Sequence, residues 1–367
     1  MRRNQIVMIT GASAGLGRAI AHAFAKRGAK IGLIARNPEA LEACRREVVQ
    51  LGGEAIVLPL DVSDAEAVEQ AASELEEAFG PMDVWVNDAM VSVFSPVKKM
   101  QAAEYRRVTE VTYLGYVNGT LAALRRMLPR DRGAIIQIGS ALSHRSIPLQ
   151  SAYCACKHAI AGFTDSLRCE LYHDNSNVQL TMVQMPAMNT MQFTWVKSRL
   201  PNKPQPVPPI FQPEVAAAVV VHAASAKRLR REYWVGSSTI TAIVGQKFIP
   251  GLLDRYLGRT GYESQQTEVP DPPERANNLW EPVPGTHSAH GPFDQCSRSF
   301  SPQVFVDLHR GWLIGAGILL VSLVVAGKIK SSSRSNKGKM YVAIDENEKF
   351  ERGSRPGRGV RESLFNS

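Results

Sequence analysis

Over its first 190 residues this 367-residue chain alternates short, almost wholly apolar runs with longer stretches of helical periodicity. The apolar runs fall at 5–9, 30–35, 55–59, 84–87, 134–138 and 179–184, with helical patterns between them, for example at 17–27, 39–51 and 64–79. A strand covered on one face alternates apolar with polar residues, whereas near-continuous apolar runs belong to a parallel sheet buried on both faces. The alternation therefore predicts a doubly wound α/β fold, a parallel sheet with helices on either side. Beyond Thr190 the regularity fades. Six prolines within 201–213 exclude helix there. A helical pattern resumes at 213–226, and Tyr233-Trp234-Val235 reads as a last strand.

Two clusters carry chemistry. Thr10-Gly11-Ala12-Ser13-Ala14-Gly15-Leu16-Gly17 lies between the first strand and the first helix. Glycines let the backbone turn tightly and approach a pyrophosphate, which then rests on the positive end of the helix. The strand before and the helix after raise this above a bare glycine triplet. Tyr153 and Lys157 form the second cluster. Four residues apart on a helix, they share one face. A phenol with a pKa of ~10 transfers protons poorly near neutral pH, and a neighbouring ammonium is expected to lower that pKa by favouring the phenolate.

The Gly-x-x-x-Gly-x-Gly spacing resembles that of the short-chain dehydrogenase/reductase family, and further matches follow in the family's order. They are Leu60-Asp61-Val62, Asn87-Asp88-Ala89-Met90, Gly139-Ser140, Tyr153 with Lys157, and the segment from Pro186 to Thr190, which has Ala187 in place of a glycine. The resemblance covers about residues 4–240. It implies a Rossmann-type catalytic domain, placed at residues 1–250, that interconverts a carbonyl and an alcohol by hydride transfer. It further implies a nicotinamide cofactor held by Gly11, Ser13, Gly15, Leu16, Gly17, Arg36, Asp61, Val62, Asn87, Tyr153, Lys157, Pro186 and Thr190. Tyr153 is then the general acid/base, Lys157 its pKa modulator and a ribose ligand, and Ser140 the group that orients the substrate oxygen.

Cofactor choice turns on Ala35-Arg36-Asn37, where no carboxylate stands ready for the adenosine ribose hydroxyls. A guanidinium there suits a 2′-phosphate by charge and bidentate geometry, so NADP(H) is expected, with Arg18 as an assisting cation. One position departs from the family. Its asparagine, part of a water-linked proton relay to the lysine, is replaced in Val111-Thr112-Tyr113-Leu114-Gly115. The Thr112 hydroxyl both donates and accepts, so the expectation is a modified relay through it. Asn118, six residues on, lies ~600° around the helix and faces elsewhere. Thr112 and the altered 87–90 segment motivate a rival reading, a nucleotide-sensing or scaffolding protein with weakened catalysis.

The net charge of +9 raises the question of nucleic acid. Ten basic against five acidic side chains in residues 328–367 account for about half of that excess. No basic run elsewhere is interleaved with aromatics, so no nucleic-acid partner is expected. Residues 251–303 read as a loop-rich extension and residues 328–367 as a basic, disordered tail. Between them, within 304–327, the sixteen residues from Trp312 to Gly327 carry no charge. They span ~24 Å of helix, slightly short of a ~30 Å hydrocarbon core, and flanking Arg310, Lys328 and Lys330 can snorkel. A transmembrane helix is expected there. The expected setting is a membrane-associated enzyme with its catalytic domain facing the cytoplasm, acting on a lipophilic carbonyl or alcohol as a homo-oligomer. Five scattered cysteines without a C-x-x-C pair, and no signal peptide, fit that reduced setting. Cys154, Cys156 and Cys169 read as buried packing. His287 and His290 lack ligand partners at useful spacing, so no metal is expected. Met182, Met185, Met188 and Met191 are candidates for an apolar pocket or for core.

Overall fold

The computed structural model describes residues 4–310, apart from 227 and 273, together with Ser322. The basic tail, and the expected membrane segment 304–327 apart from 304–310 and Ser322, thus lie outside the described residues. Among the described residues no helix is long and apolar enough to cross a membrane.

The chain enters through β1 (Ile6–Thr10), α1 (Gly15–Ala25), β2 (Lys30–Ala35), α2 (Pro38–Gln50), β3 (Glu54–Pro59), α3 (Ala65–Phe79) and β4 (Val84–Asn87). It continues through α4 (Ala102–Thr109), α5 (Gly115–Met127), β5 (Ala134–Ser140), α6 (Ser151–His173), β6 (Gln179–Met185), α7 (Pro213–Ser225) and β7 (Glu232–Trp234), then α8 (Ser237–Phe248) and α9 (Pro250–Thr260). The central sheet has seven strands in the order β7-β6-β5-β4-β1-β2-β3. Every pairing in it is parallel. The doubly wound α/β expectation holds.

Local chemistry explains where the helices begin. Asn37 accepts the Ala40 N–H at 3.0 Å and Pro38 occupies the first turn of α2. Asp64 accepts from Glu66 and Ala67 at the start of α3. The two sheet faces then bury separate apolar clusters. Ile20, Phe24, Leu41 and Val220 pack on one, from α1, α2 and α7, against Val7, Ile31 and Ile136. Val68, Leu75, Ala123 and Leu167 pack on the other, from α3, α5 and α6, around Trp85. Each large side chain fully buried this way contributes ~1.5–3 kcal/mol of hydrophobic free energy.

The strand order reverses between β1 and β4, and ligands of open α/β sheets bind at the carboxyl ends of strands beside such a switch. The stretch 251–303 is fastened to this domain. Gln266–Pro270 pairs antiparallel with Asn202–Pro204, Ser297–Arg298 pairs with Ile210–Phe211, and Leu279 is fully buried. The described chain as far as Leu308 belongs to one compact unit.

Candidate active site

A cavity of about 400 Å³ opens at the carboxyl ends of the strands, inside the ~300–1,000 Å³ range of small-molecule sites. One end is lined by Gly11, Ser13, Gly15 and Leu16, with Arg36, Asp61 and Val62 beyond them. Ser140, Tyr153 and Lys157 line the other end, with Pro186 and Thr190 close by. Sequence positions more than 140 residues apart thus meet around one cavity.

The glycine turn has the shape its residues dictate. Gly11 and Gly15 take φ of +73° and +57°, a region costly for other residues. A Cβ on Gly17 would run into the Gly11 carbonyl oxygen, so Gly17 serves by close packing of the turn and does not itself line the cavity. The Thr10 hydroxyl ties β1 to the end of β4 by accepting the N–H groups of Asp88 (2.9 Å) and Ala89 (3.1 Å). The glycine turn, the start of α1, and Arg36 with Asn37 at the end of β2 bring together the kinds of donor that a dinucleotide carrying a 2′-phosphate requires.

At the other end α6 presents Tyr153 in its first turn and Lys157 one turn on. Lys157 is 1% exposed, and its Nζ lies 5.5 Å from the Tyr153 ring centroid. Nζ donates to the Ile138 carbonyl at 2.7 Å and to the Tyr116 hydroxyl at 3.0 Å. The Ser140 hydroxyl accepts the Leu142 N–H at 3.1 Å, and it also hydrogen-bonds the Tyr153 phenol.

Among the protein's own groups, burial dominates the electrostatics of the phenol. Burial pushes the Tyr153 phenol above its usual pKa, and Cys154 and Asp88 add to the rise; the Ser140 hydrogen bond opposes it. The protein's own groups therefore favour a protonated Tyr153, the form that donates to a carbonyl. Burial also pushes Lys157 down and Asp88 up, and the charge of each opposes the shift of the other.

Several expected roles move. Thr112 sits in a single π-helical turn, Glu110–Leu114, between α4 and α5. Its hydroxyl donates to the Val91 carbonyl at 2.9 Å and accepts the Val91 N–H at 3.0 Å. That hydroxyl is committed to Val91, and the hydroxyl that Lys157 reaches is instead that of Tyr116, one helical turn after Thr112. Asn118 does face elsewhere, onto the Val62 carbonyl at 2.9 Å. Asn87 lies beneath the cavity, fully buried, bonded to Trp85, Tyr116, Thr120 and Gln137. Arg18 is no free cation, because Glu47 holds its guanidinium at 2.7 Å. Asp61 pairs with Arg107 and Ser63 while lining the adenine end.

Cys154 and Cys156 are buried, and burial pushes the Cys156 thiol up to about 11; Cys169 is exposed, against expectation. Met185, Met188 and Met191 line the cavity, and Met182 belongs to the core. No group of metal-ligating side chains occurs among the described residues. The spacing of 112 and 116 on one helix face was the one available pointer to Tyr116. Nothing local pointed to residues 278–288, whose side of the cavity includes Asn278, Val283 and His287.

With this geometry in place, comparison with known proteins is informative. The family described as short chain dehydrogenase matches residues 5–199. The uncharacterized oxidoreductase YxnA of Bacillus subtilis (strain 168) is 33% identical over 288 residues, covering 78% of this chain and 80% of that protein. Dehydrogenase/reductase SDR family member 7B of Rattus norvegicus is 36% identical over 194 residues, 51% of this chain and 59% of that protein. Among solved structures, a metagenomic short-chain oxidoreductase in complex with NADP superposes with a TM-score of 0.54 at 30% identity, covering 64% of this chain and 97% of that one. An alcohol dehydrogenase from the archaeon Thermococcus sibiricus, complexed with 5-hydroxy-NADP, gives 0.55 at 27% identity, covering 64% and 96%.

Proposed function

Because the chain belongs to the short-chain dehydrogenase/reductase family and is an oxidoreductase, we propose that it interconverts a carbonyl and an alcohol on a lipophilic substrate with NADP(H). The observation that carries this reading is the convergence of Ser140, Tyr153 and Lys157 at one end of a cavity whose other end is the glycine turn. The Arg36 guanidinium, beside Asn37, supports the phosphorylated cofactor by charge and bidentate geometry, although the Asp61 carboxylate stands 3.9 Å from it.

NADP(H), which the glycine turn and Arg36 would hold, would supply the hydride chemistry when bound. In reduction Tyr153 gives its phenolic proton to the carbonyl oxygen, and in oxidation it takes the hydroxyl proton back. Ser140 donates a hydrogen bond to the same oxygen and holds the carbon at a fixed place. The Lys157 ammonium, anchored by Ile138 and Tyr116, offsets part of the cost of charge on the buried phenol. Leu142, Ile147, Met188, Met191, Phe193 and Leu257 line the cavity on the substrate side. Such a lining favours an apolar substrate body.

A ladder of aldehydes and ketones graded by chain length tests the reaction. The purified full chain should consume NADPH with kcat/KM rising along the ladder. NADH should serve at least about tenfold less well, the value of one ionic contact of ~1.4 kcal/mol. NADPH binding with no turnover of any member would instead establish the sensing or scaffolding alternative.

The proposed setting is a membrane, with the catalytic domain on the cytoplasmic side. It rests on the uncharged stretch 312–327. Cells making the full chain should carry it in the membrane pellet, and cells making residues 1–310 should carry it in the supernatant. Equal partitioning of the two would end this part of the reading.

A further inference from the structure

The stretch 278–288 crosses the adenosine end of the cavity with its carbonyl oxygens turned toward the groups that a phosphate needs. Arg36 donates to the carbonyls of Trp280 (2.7 Å) and Asn278. The Asn37 amide donates to Val283 (2.8 Å) and Gly285 (3.1 Å). Arg18 donates to Thr286 at 2.6 Å, and the Gly15 N–H in the glycine turn donates to Ser288 at 3.0 Å.

A backbone N–H has one hydrogen, so Gly15 cannot serve Ser288 and a pyrophosphate oxygen together. At Arg36 and Asn37 four carbonyl oxygens occupy the directions from which a 2′-phosphate would approach. Their dipoles present negative ends to a dianion. The arrangement opposes a phosphate at these donors.

We propose that residues 278–288 form a strap that competes with the cofactor's phosphates for these donors and lifts away when NADP(H) binds. The inference rests on the reading of NADP(H) as the cofactor. Two anchors hold the strap. Leu279 is fully buried in the apolar cluster with Val108 and Val111, and its carbonyl accepts from Arg107 at 3.0 Å. The His287 ring packs edge-on to Trp195 at 4.5 Å. The span between carries Pro282 and Pro284 and belongs to no helix or strand. With no helix or strand hydrogen bonds of its own, the segment is held by these contacts to the domain, and a ligand that replaces them at Arg36, Asn37 and Gly15 offsets the cost of opening it. Its closed state lowers apparent cofactor affinity by the fraction of molecules in which it is shut.

Limited chymotrypsin digestion of the full chain tests the strap, since cleavage after Leu279 requires that residue to leave its pocket. With saturation by NADP⁺ established calorimetrically, cleavage at Leu279 should quicken about fivefold or more as the closed state is depleted. Unchanged or slower cleavage overturns the strap, because the segment then stays put or clamps the cofactor. Leu279→Ala, which frees the anchor, should tighten NADP⁺ binding by about fivefold. Unchanged or weaker binding by the folded variant also overturns it. Should the variant fail to fold, the digestion of the unmodified protein decides alone. If wild type fails to bind NADP⁺ and the variant binds it, the strap is supported. If neither binds, the cofactor reading falls and takes the strap with it.

Discussion

Tyr153→Phe should lower kcat by about 10³-fold or more while changing the NADP⁺ dissociation constant by less than about threefold, as expected for loss of a positioned general acid. The substitution deletes one oxygen and keeps the ring, so the packing that places Lys157 5.5 Å from its centroid persists. Ser140 keeps the Leu142 N–H and loses only its bond to the phenol. The glycine turn and Arg36 are untouched, which is why binding and turnover separate. Steady-state kinetics with the best substrate of the carbonyl ladder, beside calorimetric titration of NADP⁺, gives both numbers. A variant that keeps a tenth of the activity would remove Tyr153 from the chemistry.

Glu104→Gln should cost about 2–3 kcal/mol of stability at pH 7, near the lower end for breaking a buried ion pair. The Glu104 carboxylate is 1% exposed and meets Lys197 at 2.9 Å and Arg199 at 2.7 Å. It also accepts the Gln101 N–H at 3.0 Å, closing the first turn of α4. Burial alone would raise its pKa. Arg199, Gln101 and Lys197 outweigh burial and hold it down to about 2. Both cations keep partial access to water, which limits the loss when the charge is removed. The sign follows from the depressed pKa. The contribution is present above the unfolded value of ~4.3 and is lost as pH falls toward about 2. Urea unfolding of both proteins should therefore show a gap that narrows from pH 7 to pH 3. An equal gap at both pH values would show that shape, not charge, matters at this position.

The elements that the sequence revealed are those whose causes are local. The runs 30–35 and 84–87 are β2 and β4 to the residue. Tyr153 and Lys157 share a face of α6 because a helix repeats every ~3.6 residues, whatever surrounds it. The roles that moved depend on partners from elsewhere. The Thr112 hydroxyl is occupied by Val91, 21 positions away, and Lys157 finds Tyr116, 41 positions away. Neither distance has a periodicity to announce it.

By itself the sequence determined the sheet, the turn at Gly11–Gly17, the family and the placing of Tyr153 and Lys157 on one helix face. Strand periodicity, glycine dihedrals and helical spacing act within a few residues of one another. Only the tertiary structure decided which oxygens face Arg36, Asn37 and Gly15. Those carbonyls come from a stretch more than 240 positions away, read in sequence as an extension. They reach the cavity because the buried Leu279 side chain and the Arg107 bond to its carbonyl draw the chain across it. An arginine without a carboxylate nearby suggests a phosphate site in sequence; the folded chain supplies the competitor.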